Sequence, residues 1–220
     1  MKSYLVKTPA ILKWIFPKRI WSLPNNTNTV YLTFDDGPIP EVTPWVLDTL
    51  NQYNAKATFF CIGDNVQKHP LIYSRILKEG HAIGNHTFNH LNGWNTSLNE
   101  YIKNSDMFEN IQNKTQNNKS SINKLFRPPY GKITSRQAKI LQKKEYSIIM
   151  WDVLSADFDA SISEEKCLQN VLKNIKSGSI VVFHDSLKAE KKLRYVLPKL
   201  LEFINNNGLN CKEISLNYKN

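Results

Sequence analysis

Short apolar runs of four to six residues recur along this chain at 29–34, 57–62, 82–85, 124–127, 147–152, 179–184 and 210–214. Between them lie segments with helical periodicity at 42–53, 70–78, 98–114, 135–144, 164–175 and 191–205. A helix placed between two strands of one sheet returns the chain to its starting edge, so the strands it joins run parallel. Seven such strands with intervening helices predict an α/β chain folded as an incomplete barrel. A length of 220 residues suits one such domain with one core.

Local signals place several boundaries. Gly80, Gly178 and Gly208 each follow a helical run, where a residue that accepts positive φ ends a helix at low cost. Ser163 stands where an N-cap belongs, although Lys166 occupies the position at which a strict capping box has Glu or Gln. The polar run NKTQNNKSSINK, 113–124, is the expected long loop, and no internal repeat or linker divides the chain.

Lys and Arg outnumber Asp and Glu by 29 to 19, a formal charge of +10. The cations are scattered, with no recognition helix, finger spacing or aromatic and basic single-strand platform, so a nucleic-acid partner is not expected. Cys61, Cys167 and Cys211 are widely spaced and odd in number, which argues against a disulfide framework or a Cys-rich zinc knuckle. At the N-terminus the apolar run is interrupted by Lys7, Pro9 and Lys13, so neither a cleavable signal peptide nor a spanning helix is expected. A cytoplasmic or membrane-peripheral monomer is the expectation. Residues 7–21, KTPAILKWIFPKRIW, mix four cations with Trp14, Phe16 and Trp21. That mixture is compatible with weak contact with a membrane surface, but the favoured expectation is that the segment, within 1–28, closes one end of the core of the domain at 29–220.

The chemistry collects at strand ends. Asp35 and Asp36 close the first strand, His86 follows the third, Arg127 the fourth and Asp157 the fifth, while His184 ends the sixth. The carboxyl ends of parallel strands open on one face, so these groups converge there. His86 and His90, in HTFNH, are spaced to reach one ion from a helical turn or tight loop. If one aspartate of TFDDGP completes a His-His-carboxylate set, a position is left for water, the arrangement of a catalytic zinc site; the turn at Gly37 and Pro38 can swing Asp36 out of the strand's alternation, so that one carboxylate binds metal and the other faces the water. Arg127, in FRPPYG, can clamp a carboxylate, and the stiff turn after it can aim a backbone N–H at an oxyanion. Asp157 can hold His184 protonated as a general acid. A glycosidase built on Asp35 and Asp36 is disfavoured, because its two carboxylates must flank the scissile bond from facing positions.

Taken in order, TFDDG, HTFNH, RPPYG, WDVLSADF and VVFHD resemble the polysaccharide deacetylases with a NodB homology domain, carbohydrate esterase family four, over roughly residues 30–214. The resemblance implies a distorted (β/α)7 TIM-like barrel and removal of acetyl groups from N-acetylated sugars, the partner being an acetylated carbohydrate. It implies Asp35 as base, oriented by Arg127, and Asp36, His86 and His90 as ligands of Zn²⁺ or another divalent transition metal such as Co²⁺ or Ni²⁺. It further implies the Tyr130 N–H as oxyanion donor and His184, partnered by Asp157, as acid. Two departures bear on the substrate pocket: Leu154 and Phe158 stand where the family has an acid and a Trp, and Val182 where it has Leu. A silent carbohydrate-binding barrel and an O-acetyl esterase are the alternatives.

Overall fold

The computed structural model describes residues 4–24, 26–115 and 124–216. Its strands are β1 (Thr29–Asp35), β2 (Thr58–Cys61), β3 (Ala82–Asn85), β4 (Leu125–Phe126), β5 (Ser147–Ile148), β6 (Val153–Leu154), β7 (Ile180–His184) and β8 (Asn210–Cys211). Its helices are α1 (Ala10–Ile15), α2 (Thr43–Gln52), α3 (Gly63–Lys68), α4 (Pro70–Lys78), α5 (Leu98–Thr115), α6 (Ser135–Lys143), α7 (Glu164–Leu172) and α8 (Glu190–Asn206). Every strand pairing is parallel, in the order β5-β4-β3-β2-β1-β7-β6, with β8 alongside the start of β1. The sheet curls without closing, so the expected incomplete α/β barrel is the architecture observed.

Side-chain alternation on β1 divides the interior into two environments. Val30, Leu32 and Phe34 face the helices and pack with Phe59, Phe183 and residues of α2, α4, α7 and α8. The Phe34 ring stacks on Phe59 and Phe183 at 5.1 and 5.9 Å. Each such fully buried side chain contributes about 1.5–3 kcal/mol relative to leaving it in water. The alternate positions Thr33 and Asp35 are also buried, and it is there that the site is built.

Two expectations need correction. The strand expected at 147–152 is shorter and a further strand follows it: β5 stops at Ile148, the chain crosses the open side of the barrel, and β6, at Val153–Leu154, joins the opposite edge beside β7. Nothing in the apolar residues 148–151 marks that crossing, which is decided by pairing partners far away in sequence. The N-terminal segment lies along this seam rather than over one end of the core. Ile20 bridges Ile149 on the β5 side, and Lys7 bridges Val153 on the β6 side. Buried Asp152 receives the ammonium groups of Lys7 (2.6 Å) and Lys13 (2.8 Å). The six-residue helices α1 and α3 are too short to show a period and were not expected. Of the loop expected at 113–124, residues 116–123 lie outside the described residues, and α5 runs on to Thr115. The three cysteines are buried and free.

Candidate active site

Register assembles the site. Asp35, the last residue of β1, pairs with His184, the last of β7. Asn85 pairs with Phe126, so His86 and Arg127 leave β3 and β4 side by side. Asp36 then departs from strand geometry with φ +87°, a left-handed conformation that aspartate tolerates better than most residues. Its carbonyl accepts a 2.7 Å hydrogen bond from Asn65 Nδ2. The following Gly37 donates its N–H to Asp185 Oδ1 (3.0 Å), and a Cβ at Gly37 would lie 1.9 Å from Asp185 Oδ2, so no larger residue fits this approach. Asp185 also accepts from Thr43 Oγ1 at 2.6 Å and donates its own N–H to the Asp35 carbonyl at 3.0 Å. Burial, outweighing those stabilising hydrogen bonds, pushes its carboxyl up to about 7.

The two neighbouring carboxylates meet different surroundings. Asp35 is buried and its Oδ1 accepts from Arg127 Nη1 at 2.7 Å. The Arg127 side chain is fully buried, and its other donors reach Thr33 Oγ1 (2.7 Å) and the carbonyls of Met150 (3.0 Å) and Ile149 (3.4 Å), over the face of Phe60. A guanidinium tied at so many points cannot swing away from Asp35. Asp36 Oδ1 instead lies 3.3 Å from His90 Nε2 and 3.9 Å from His86 Nε2.

Residues 86–90 form a tight loop rather than a helical turn, with Thr87 and His90 at φ +62° and +56°. Asn85 Oδ1 accepts from the Thr87 N–H (2.8 Å), and Asn104 Oδ1 from those of Phe88 (2.8 Å) and Asn89 (2.9 Å). His86 donates Nδ1–H to the Arg127 carbonyl at 2.8 Å, which leaves Nε2 bare for coordination. His90 Nδ1 lies 3.1 Å from the Tyr130 hydroxyl. Burial, reinforced by His90, holds His86 well below its ordinary pKa, and burial lowers His90 as well despite Asp36 and Asp35. Both rings are thus held toward the neutral form, the form able to bind a metal.

One ligand atom each from Asp36, His86 and His90 falls within 4.8 Å of the others. Asp36 Oδ1 is buried and has no hydrogen-bond partner among the described residues, a costly state that a cation would relieve. One carboxylate and two neutral imidazoles fit a divalent transition metal.

On the opposite side, the Asp157 carboxylate, fully buried, receives both the backbone N–H and the ring Nδ1 of His184 at 2.8 Å. Burial would depress His184, yet Asp157, with Asp36 and Asp35 adding to it, pushes it up to about 10. Tyr130 adopts φ +59° after the Pro-Pro turn, and its N–H has no partner among the described residues.

A family profile described as polysaccharide deacetylase matches residues 22–149. A peptidoglycan-N-acetylglucosamine deacetylase of Bacillus cereus is 38% identical over 208 residues, covering 90% of this chain and 93% of that one. The chain belongs to the polysaccharide deacetylase family. The yeast Saccharomyces cerevisiae chitin deacetylase 2 is 37% identical over 175 residues, 77% of this chain but 54% of that protein. The crystal structure of a peptidoglycan N-acetylglucosamine deacetylase in complex with an N-hydroxybenzamide superposes with TM-score 0.85 at 34% identity, covering 94% of this chain and 95% of that one.

In this polysaccharide deacetylase the departures noted in the sequence have definite places. Phe158 sets its ring edge-on to His184 at 5.2 Å, while Leu154 and Val182 are buried in adjacent strands. Sequence reasoning did not single out Thr33, Asn65, Asn104 or Asp185. Asp185 sits in the motif VVFHD beside His184, and a second acid at a strand end was a usable signal. Asn65 and Asn104 carried none, since each acts through a loop brought to it by the fold.

Proposed function

We propose that this polysaccharide deacetylase is a metal-dependent hydrolase that removes the acetyl group from N-acetylglucosamine units of a poly- or oligosaccharide, with Zn²⁺ as its metal. The observation that carries this reading is the division of Asp35 and Asp36. One carboxylate is locked by a buried arginine, and the other turns an unpartnered oxygen toward two neutral imidazoles.

Asp36 Oδ1, His86 Nε2 and His90 Nε2 would hold the ion. Bound there, Zn²⁺ supplies Lewis acidity and lowers the pKa of a coordinated water to about 7. Asp35, fixed at Oδ1 by Arg127, keeps Oδ2 to take a proton from the attacking water. The Tyr130 N–H donates to the oxyanion that develops on the acetyl carbonyl, a contact of the kind worth about 3–4 kcal/mol. His184, charged through Asp157, gives its proton to the leaving amine, a step worth about 10²- to 10⁴-fold in rate. Phe158 lines the His184 side of this space and bears on which sugar is accepted.

The test is acetate release from chitooligosaccharide and from peptidoglycan fragments by protein stripped of metal and then reloaded with Zn²⁺, Co²⁺ or Ni²⁺. Stripped protein should be silent and reloaded protein active. Full turnover by stripped protein would sink the reading, and release from O-acetylated xylan alone would move the substrate to esters.

A further inference from the structure

We propose that α1 and α6 together form a docking face for an anionic lipid bilayer. The six residues of α1 present their apolar side outward: Ile11, Trp14 and Ile15 are 56, 77 and 50% exposed, and Leu5 just before the helix is 58% exposed. Spacing of three and four residues puts Ile11, Trp14 and Ile15 on one face. The helix cannot roll to hide them. Its other side is pinned by Lys13 on buried Asp152 (2.8 Å) and by Leu12 and Phe16, which pack against a core cluster that includes Ala138 and Leu141 of α6.

The same cluster includes residues of a cationic helix. Within Ser135–Lys143, Arg136, Lys139 and Lys143 are exposed at helical spacing, and the helix contains no acid. Gln142 donates to the carbonyl of exposed Lys18 (3.0 Å), which joins the cations to the end of the apolar face. Glu145, just past the helix, is the one exposed acid in this stretch of chain.

An exposed Trp beside Ile and a row of Lys and Arg has the chemistry of a bilayer interface, where the ring sits at headgroup level and the cations meet acidic lipid. A second copy of this chain fits less well, because a two-fold contact would set the same cations against each other. A soluble polyanion would engage the cations and leave Trp14 in water. No helix among the described residues is long and apolar enough to cross a membrane.

The experiment is co-sedimentation of the full chain with vesicles of phosphatidylglycerol and phosphatidylcholine in equal parts, against phosphatidylcholine alone. Binding is expected only to the first, weakening as salt is added. Trp14→Ser should cut partitioning about tenfold, and Lys139→Gln or Lys143→Gln about fivefold each. Thermal midpoint and acetate release should not change in these surface variants. The proposal is overturned by no binding, by equal binding to both vesicles, or by Trp14→Ser binding as wild type. It is also overturned if Trp14→Ser abolishes self-association instead, or if polyphosphate alone is bound. The proposal does not rest on the deacetylase reading: vesicle binding by a silent protein would sustain the one and count against the other.

Discussion

His81 and His86 bracket the same short strand and are both held neutral, yet Nδ1 accepts a hydrogen bond in one and donates it in the other. Before β3, His81 Nδ1 accepts the Ala57 N–H (3.1 Å), and burial, with Lys56 and Arg75 nearby, lowers it to about 4. After β3, His86 Nδ1 donates to a carbonyl and Nε2 is left facing two carboxylates. At the amino end of the strand a polar ring is consumed in closing the core. At the carboxyl end a similar ring, similarly buried, is left with an unspent donor atom. Burial therefore does not separate the two rings; the part played by Nδ1 does, since an accepting Nδ1 leaves an N–H at Nε2 and a donating one leaves a bare lone pair there.

The largest effect should come from the aspartates at the carboxyl end. Asp36→Ala should weaken Zn²⁺ binding by at least about 100-fold, measured by competition with a chelating dye. Asp35→Asn should keep the metal while acetate release falls about 10²- to 10⁴-fold. Equal metal loss in both variants would erase the division between the two acids.

Next is Arg127→Met, which strands a buried carboxylate and should cost about 3–5 kcal/mol in urea unfolding. At the amino end, His81→Leu leaves the Ala57 N–H unpaired and should cost about 1–3 kcal/mol. Its Zn²⁺ affinity should equal that of wild type; a change there would collapse the contrast between the two ends.

The gentlest effects are pH slopes of at most about 1.4 kcal/mol per unit, read on metal-free protein as differences from His81→Leu and His184→Gln. His81 falls from 6.5 to about 4 on folding, so between those values only the unfolded chain takes the proton. Its contribution is present above pH 6.5 and lost on acidification through 4. His184 rises from 6.5 to about 10, so the folded protein keeps a proton that the unfolded chain has shed. Its contribution is present below pH 6.5 and lost as pH rises through 10. Slopes of the same sign would contradict the opposite environments described.

Much of this was legible because apolar runs and strand ends are local. β1 and β7 are marked by TVYLTF and IVVFH, and their ends carry the acids and the histidine that face one another. The early end of the strand expected at 147–152, and β6 after it, were not legible, because a strand is defined by its pairing partner and not by its own composition. The exposed side of α1 was equally hidden: Leu12 and Phe16 pack inward while Ile11 and Trp14 do not, and nothing in their residue types distinguishes them.

Residue types and order along the chain were enough to specify a parallel α/β barrel, the meeting of Asp, His and Arg at one mouth, and the family to which they belong. They marked Gly37-Pro38 as a turn able to part the two adjacent carboxylates, but not what holds each in place, since that depends on Arg127 just after β4 and on Asp185 just after β7. Nor could they show that the N-terminal segment would lie in the seam. Composition and periodicity are properties of neighbours in sequence, whereas an orphaned oxygen, a chosen ring nitrogen and a covered edge are properties of neighbours in space.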